Sequence, residues 1–438
     1  MKIASFSNLI RHLGNLMATL PDRRTGSNVQ YSMMDIGLAA FSVFFTQCSS
    51  FLAHQRVMEK ANGQNNARSL FQVDNIPTDN HIRKMLDPIP PEHLFPMYDA
   101  TLKAMEEHGI LNTFRGVHNT RPIVLDATWY HSSENIGCDK CSTMEHKDGT
   151  VTYYHSAITP VIVAPGIKKA ISLRPEFIIP QDGSVKQDCE INAGYRWLEK
   201  NGEFYQDGNS TILGDDLYAH QPFCRRVLLY GYHFIITCKP GSHSSLYDWV
   251  NLLELGVDRH TLVIQVKNKN KWENHTYNYA NGVPLTNDAN PLKVNWCDWT
   301  ITNDKGEQLY HNAWITDFKI TDNDVSGVAA TGRVRFKIEN ENNNTLKTKG
   351  YHLDHNFGHG SQYLSSLLAA MNILAFLFHT FLDYCDENYK LIRDTLPTRK
   401  TFFQDIQALT RYAFFANWDA LMDYMMRGLE IGPYERAR

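Results

Sequence analysis

Apolar residues recur at helical spacing through the first 115 or so residues, as in SMMDIGLAAFSVFFTQCSSFLAHQRVM, with breaks at NGQNNA and DPIPPEHL. This predicts an N-terminal helical domain over residues 1–115. From RPIVLDATWY onward the period changes. IVLDATW, TVTYYHSAITPVIVAP and KKAISLRPEFIIP are short β-branched runs, predicted as three consecutive strands of an antiparallel meander. A helix over about 186–199 follows, with Ser184 and Gln187 at capping-box spacing. STILGDDLY then reads as a strand ending in two aspartates, HQPFCRRVLLYG as a helix and YHFIITCKP as another strand. The order β-β-β-α-β-α-β predicts an α/β sheet of mixed strand directions over residues 116–257.

Residues 258–321 carry the alternation of TLVIQV and a hairpin, NWCDWTITNDKGEQLYHNAWI, whose turn is NDKG; they predict a β-rich insertion. Helical spacing returns near Ser326, giving a second part of the core over 322–385 and a helical segment over 386–438. The window YLSSLLAAMNILAFLFHTFL, Tyr363 to Leu382, is long enough to cross a bilayer. Its Ser365, Ser366, Asn372 and His379 predict a buried core helix instead, and no membrane partner. No internal repeat is present.

Composition narrows the function classes. A chain of 438 residues suggests two to four folding units at roughly 150 residues each. With 43 Lys and Arg against 47 Asp and Glu, the net charge of −4 gives no overall footprint for a polyanion, so any nucleic-acid contact must rest on local basic clusters. The N-terminal MKIASFSNLIRHLGNLM lacks the uninterrupted apolar stretch of a signal peptide, which predicts a cytoplasmic protein. Of eight cysteines only Cys138 and Cys141 are neighbours, so a disulfide framework is not expected.

The carboxylates point to chemistry. Arg335, Glu339, Asn343 and Lys347 recur every fourth position and share one helix stripe, with Val334, Ile338 and Thr345 on a neighbouring face. By itself that stripe is a solvated face with an Arg335–Glu339 ion pair. Asp126, however, lies inside an apolar run, where an ionised side chain is costly to bury unless paired or bound to a metal. Asp215 ends a strand, where open α/β sheets place ligands. Two strand aspartates and one helix glutamate can converge on a pair of hard cations that activate water or a hydroxyl at a phosphodiester. Glu176, Asp188 and Glu190 read as surface or supporting carboxylates.

The order LDAT at Asp126, LGDDLYAHQP at Asp215 and RFKIENENNNTLKTKGYHLDHNFGHG around Glu339 resembles the DDE transposases of bacterial insertion sequences. The resemblance covers most of Asp126 to His379. It implies an RNase H-like mixed sheet flanked by helices, with the N-terminal helical domain binding DNA ends and the β-rich insertion between the second aspartate and the glutamate. Asp126, Asp215 and Glu339 would hold Mg²⁺ or Mn²⁺, two ions, with Asp216 a polar neighbour. The implied activity is that of an endonuclease and strand-transfer enzyme: water nicks the terminal inverted repeats, and the freed 3′-hydroxyl attacks target DNA. A homodimer in the synaptic complex is implied, in a bacterial cytoplasm and on the nucleoid when acting. Arg335 and Lys347 would contact DNA phosphates. Gly332 stands where the family has a tyrosine, and Lys347 falls one position beyond the family's lysine, with Leu346 in its place.

Further residues carry separate expectations. Cys138, Cys141, His146 and His155 form a candidate structural Zn²⁺ set, the first three at zinc-knuckle spacing, against a reduced thiol pair in a loop. Lys267, Lys269, Lys271 and Trp272 combine cations with an aromatic, suited to phosphate and base contact. The runs at Arg23–Arg24, Ile82–Lys84 and Cys224–Arg226 are weaker basic clusters. In related transposases the insertion holds a flipped base, a role open to Trp272, Trp296 or Trp299, against ordinary packing. His352, His355 and His359 sit among Gly358 and Gly360 and predict a turn packed near the site. Alternatives to the transposase reading are an RNase H-like nuclease without strand transfer, a non-catalytic DNA-binding protein and a zinc-organised interaction protein.

Overall fold

The computed structural model describes residues 3–25, 29–58, 60–179, 188–202, 205, 209–269 and 271–432. Six helices open the chain: α1 (Phe6–Ala18), α2 (Met33–Phe45), α3 (Phe51–Met58), α4 (Ala61–Phe71), α5 (Asp79–Leu86) and α6 (Phe95–Glu107). Local capping explains several starts. Ser5 and Thr78 each accept the amide three residues on, and Ser32 with Asp35 closes a capping box. The Ser184–Gln187 capping box lies outside the described residues.

The strands follow: β1 (Arg121–Val124), β2 (Ala127–Ser133), β3 (Ser142–Glu145), β4 (Val151–Ile158), β5 (Val161–Ile162), β6 (Ile171–Ser172) and β7 (Glu176–Ile178). Then come α7 (Glu190–Asn201), β8 (Ser210–Gly214), α8 (Gln221–Leu229), β9 (His233–Thr237) and α9 (Ser244–Leu252). The predicted meander of three long strands is in fact split. Each run changes sheet part-way: β1, β5 and β6 lie in a nine-stranded sheet, while β2, β3, β4 and β7 form a second, four-stranded one.

In the large sheet the order β6-β5-β1-β8-β9 pairs β1 with β8 and β8 with β9 in parallel, and β1 with β5 and β5 with β6 antiparallel. This is the mixed sheet expected of an RNase H-like core. The insertion adds β10 (Arg259–Asn268), β11 (Lys271–Pro284), β12 (Lys293–Asn303) and β13 (Gln308–Thr316), an antiparallel ladder that joins the core by pairing β13 with β9. It extends the same sheet.

Alternation decides the two faces of that sheet. Ile123, Leu125, Ile212, Phe234 and Ile236 belong to one apolar core; Val124, Leu213 and Ile235 belong to the other. Both faces are covered, which is why these strands read as continuous apolar runs. The second core is closed by α10 (Val325–Arg333) and the helical turns after it; the first is closed by α7, α8 and the C-terminal α12 (Leu364–Cys385). Between them lies α11 (Asn344–Thr348), and the chain ends with α13 (Glu387–Thr395), α14 (Arg399–Tyr412) and α15 (Trp418–Gly428).

The long apolar α12 is a core helix, as its polar residues predict. Over its most apolar window 94% is buried within the protein. His379 donates from Nε2 to the Phe45 carbonyl at 3.0 Å, and its Nδ1 therefore accepts from the Tyr389 hydroxyl at 3.1 Å. Asn372 donates to the Tyr351 carbonyl at 2.8 Å. These bonds offset much of the cost of burying the polar groups, although Asn372 Oδ1 is buried without a partner. Helix α12 also touches α1, α2, α5 and α6, so the N-terminal helices share its core.

The start of α12 is capped from outside. The Asp87 carboxylate, at the end of α5, accepts the amides of Ser361 and Gln362 at 3.0 Å and the Ser361 hydroxyl at 2.8 Å. Burial works against its ionisation, but these bonds outweigh that and hold the carboxyl below its ordinary range. Asp87→Ala is expected to cost about 1–2 kcal/mol in urea unfolding, and Asp87→Asn less. Equal stability of the Ala variant would show that solvent satisfies these amides as well.

Candidate active site

Strand β1 ends at Val124 and β2 begins at Ala127, so Asp126 sits where the chain leaves one sheet for the other. The returning strands bend at the same level, and the Thr159 amide donates to the Asp126 carbonyl at 3.1 Å. Val124 is the registered partner of Leu213 across the parallel β1–β8 pair. Two residues further on each strand stand Asp126 and Asp215. Both carboxylates thus leave the C-terminal edge of adjacent parallel strands side by side, the position where such sheets bind ligands.

The two aspartates after β8 diverge. Asp215 accepts the Leu217 amide at 2.9 Å and stays beside Asp126. The Asp216 carboxylate is engaged elsewhere: it accepts the Lys239 amide at 2.5 Å and the Ser242 hydroxyl, with His243 Nε2 at 3.4 Å. It fixes the loop after β9.

Glu339 comes from a helix of changing pitch. After α10 there is a tight turn over Val334–Phe336, then a wide π-helical stretch over Ile338–Asn343, then α11. Such π segments recur at functional sites. Arg335 links the carboxylates: its Nη2 lies 3.0 Å from Glu339 Oε1 and its Nη1 3.9 Å from Asp126 Oδ1. The guanidinium occupies a cation position between two acids.

The fourth-residue stripe does not survive the π turns. Asn343 is buried, accepting from the Thr159 hydroxyl at 2.8 Å and from the Asn342 amide at 3.0 Å, and Asn342 accepts from Ser172 at 2.9 Å. A π turn takes in more residues than an α turn, so positions after Glu339 rotate toward the sheet. Lys337 is buried too and donates to the carbonyls of Ala164 and Ile167, tying this helix to the β5–β6 connection. Lys347 is half-buried; burial pulls its ammonium pKa down and Asp354 pushes it back up. The preceding Leu346 is fully buried in the core. Gly332 packs beneath Trp314: a Cβ there would lie 2.7 Å from the indole nitrogen, so no tyrosine can stand at this position.

One member of the cluster has no local mark in the sequence. Glu190, the first residue of α7, accepts the Ala127 amide at 3.1 Å and the Tyr218 hydroxyl at 2.9 Å. It belongs with Asp126 and Asp215 rather than on the surface. The other two acids of its segment are neutralised instead, Glu176 by Arg196 at 2.8 Å and Lys200 at 2.9 Å, and Asp188 by Arg196 at 2.7 Å.

The crowding of acids shows in their titration. Burial raises the Asp126 pKa to about 7; the charges of Glu190, Asp215 and Glu339 add to it, and Arg335 opposes. Burial likewise raises Glu190. One guanidinium faces Asp126 and Glu339 and acts on Glu190, and all the donor atoms of the four carboxylates are oxygens. That donor set and its excess of negative charge fit hard divalent cations.

The remaining candidates are spread out. Lys267, Lys269, Lys271 and Trp272 lie at the tip of the β10–β11 hairpin, with Lys267 Nζ 6.0 Å over the Trp272 ring and Trp272 54% exposed. Trp296 and Trp299 are buried, and Arg333 lies over both the Trp299 and Tyr310 rings. An open cleft beside Arg335, lined also by Thr237, Tyr310, Asn312, Arg333 and Asn340, separates the insertion from the Glu339 helix. The other basic runs are engaged locally, Arg24 with Asp22, Arg83 with Asp79 and Arg225 with the Asn290 carbonyl. Cys138, Cys141 and His155 come together on the second sheet, whereas His146 is exposed and bonded to Thr152 at 2.8 Å. The fourth neighbour of that group is His359.

No protein-family model matches the chain, and no curated protein matches it. Among solved structures it is similar to one described as a cryo-EM structure of a piggyBac transposase synaptic complex with hairpin DNA. The identity is 9% and the TM-score 0.40, over 99% of this chain and 84% of that one.

Proposed function

We propose that this chain is a DNA-cutting and joining enzyme of the DDE transposase kind, with Asp126, Asp215 and Glu339 holding divalent cations. The observation that carries this reading is the registered exit of Asp126 and Asp215 from paired parallel strands, with Arg335 bridging from Asp126 to Glu339. Mg²⁺ or Mn²⁺ bound there supplies activation of water or a 3′-hydroxyl and stabilisation of the leaving phosphodiester oxygen.

The chain's own residues do the remaining work. Glu190 holds the Ala127 amide beside Asp126 and, through Tyr218, fixes where α7 meets the site. Arg335 neutralises Asp126 and Glu339; were a divalent cation held by the acids, its guanidinium would be available to bind a DNA phosphate bidentately. The cleft between the insertion and the Glu339 helix opens directly onto Arg335 and can admit a strand. Lys267, Lys269, Lys271 and Trp272 extend a cationic, aromatic surface from the insertion, while Lys347 has a smaller part because it is half-buried. The DNA partners are the terminal inverted repeats and a target, bound in a homodimeric synapse.

The test is incubation of the protein with labelled DNA ends taken from the flanks of its reading frame, a target plasmid and Mg²⁺. End cleavage followed by covalent joining of the 3′ ends to the plasmid is expected. Cleavage without joining would reduce the reading to a hydrolytic nuclease, and neither product would remove it.

A further inference from the structure

The second sheet carries a cluster that the carboxylate chemistry does not use. Cys138 and Cys141 lie on the connection from β2 to β3, His155 is on β4, and His359 lies in the loop before α12, more than two hundred residues away. One ligand atom from each of the four falls within 4.8 Å of every other. Cys138 Sγ is 3.6 Å from Cys141 Sγ and 3.4 Å from His155 Nε2; Cys141 Sγ is 3.5 Å from His155 Nε2 and 3.7 Å from His359 Nε2.

Those spacings have a specific meaning. With Zn–S near 2.3 Å and Zn–N near 2.05 Å, a tetrahedral ion sets its ligands about 3.8 Å apart for sulfur to sulfur and about 3.6 Å apart for sulfur to nitrogen. The four edges given above lie close to these. A disulfide is a poor description, since its sulfurs would be about 2.05 Å apart. The Cys138–Cys141 turn is closed by the Cys141 amide on the Cys138 carbonyl at 2.9 Å, with the Cys138 amide directed at Cys141 Sγ at 3.4 Å, so the sulfurs are held on one side.

We propose that Cys138, Cys141, His155 and His359 bind one structural Zn²⁺, with His359 rather than His146 as the fourth ligand. The flanking glycines make this possible. Gly358 and Gly360 have φ of 147° and 66°, a region that other residues seldom adopt, and a Cβ on Gly360 would lie on the Asp87 carboxylate. The two glycines turn His359 toward the cysteines while the chain enters α12. The bound ion is a clamp: it joins the sheet that starts one residue after Asp126 to the loop that follows the Glu339 helix. Closed four-ligand sites of this kind contribute folding energy and keep no open position for a substrate.

The site can be tested without DNA or activity, so its outcome is independent of the transposase reading. Protein purified without added metal should hold about one zinc per chain by mass spectrometry, and cobalt exchange should give the intense visible bands of a tetrahedral site with thiolate charge transfer. His359→Ala should weaken zinc affinity by at least ~100-fold, more than the loss of an outer hydrogen-bond partner causes, while His359→Cys keeps the ion and His146→Ala changes nothing. Absence of stoichiometric zinc together with no tetrahedral cobalt spectrum overturns the site and leaves a reduced thiol pair. Zinc lost in His146→Ala but kept in His359→Ala overturns the ligand set. The wild-type measurements stand even where a variant fails to fold.

Discussion

Asp126→Asn and Glu339→Gln are each expected to lower Mg²⁺-dependent cleavage of end DNA by on the order of 10³-fold or more, while end binding is largely kept. Both exchanges preserve shape and remove one anionic oxygen donor from the site. Asp126 is the more informative position, because its side chain is only 17% exposed and sits where the two sheets part. An Asn there leaves the Thr159–Asp126 backbone bond untouched, so the fold's bend persists and the loss is chemical. Glu339 is 52% exposed on the π-helical stretch, and Gln there releases Arg335 from its 3.0 Å ion pair without disturbing the buried Asn342 and Asn343 beneath it. Cleavage at the wild-type rate in either variant would end the three-carboxylate assignment.

The second large effect is on stability and runs opposite to the usual behaviour of acidic groups. The Asp126 pKa is raised from 3.8 to about 7 in the fold. Between those values the native state binds more protons than the unfolded chain, so unfolding free energy falls as pH rises from about 4 to 7 and is level above. At ~1.4 kcal/mol per unit the penalty has an upper figure of about 4 kcal/mol, and solvent at the open side of the site reduces it. Urea unfolding with a chelator should therefore show metal-free wild-type protein losing stability between pH 5 and 7.5. Asp126→Asn should flatten that loss and be the more stable protein at pH 7.5, as expected where function is held at the expense of stability. Parallel pH curves for the two proteins would show that the cluster is not the source.

Much of this could be read from residues close together in the chain. The helix–strand alternation of the core, the β-rich insertion with its Gly306 turn, and the burial of α12 all follow from periodicity and from the polar residues at 365, 366, 372 and 379. Asp126 stood out because a charge in an apolar run requires an explanation, and Asp215 because it ends a strand. The errors share a cause. IVLDATW looked like one strand because both its halves are apolar, yet pairing with β5 and β8 on one side and β4 on the other splits it at Asp126. The stripe from Arg335 to Lys347 assumed a constant α pitch, and a π segment is set by what the helix packs on, here Thr159 and Ser172.

The sequence by itself determined which residues are candidates for the chemistry: oxygen donors at 126, 215 and 339, sulfur at 138 and 141, and a histidine-rich turn that ends on Gly358 and Gly360. Periodicity and side-chain type are local properties, and these features need nothing more. Only the tertiary structure decided which groups meet. Glu190 joins the acidic cluster, Glu176 and Asp188 are tied off by Arg196, and His359 rather than His146 is the histidine brought beside Cys138, Cys141 and His155. Those choices depend on where a helix start or a distant loop is carried by the packing of apolar faces, and no spacing along the chain records that distance.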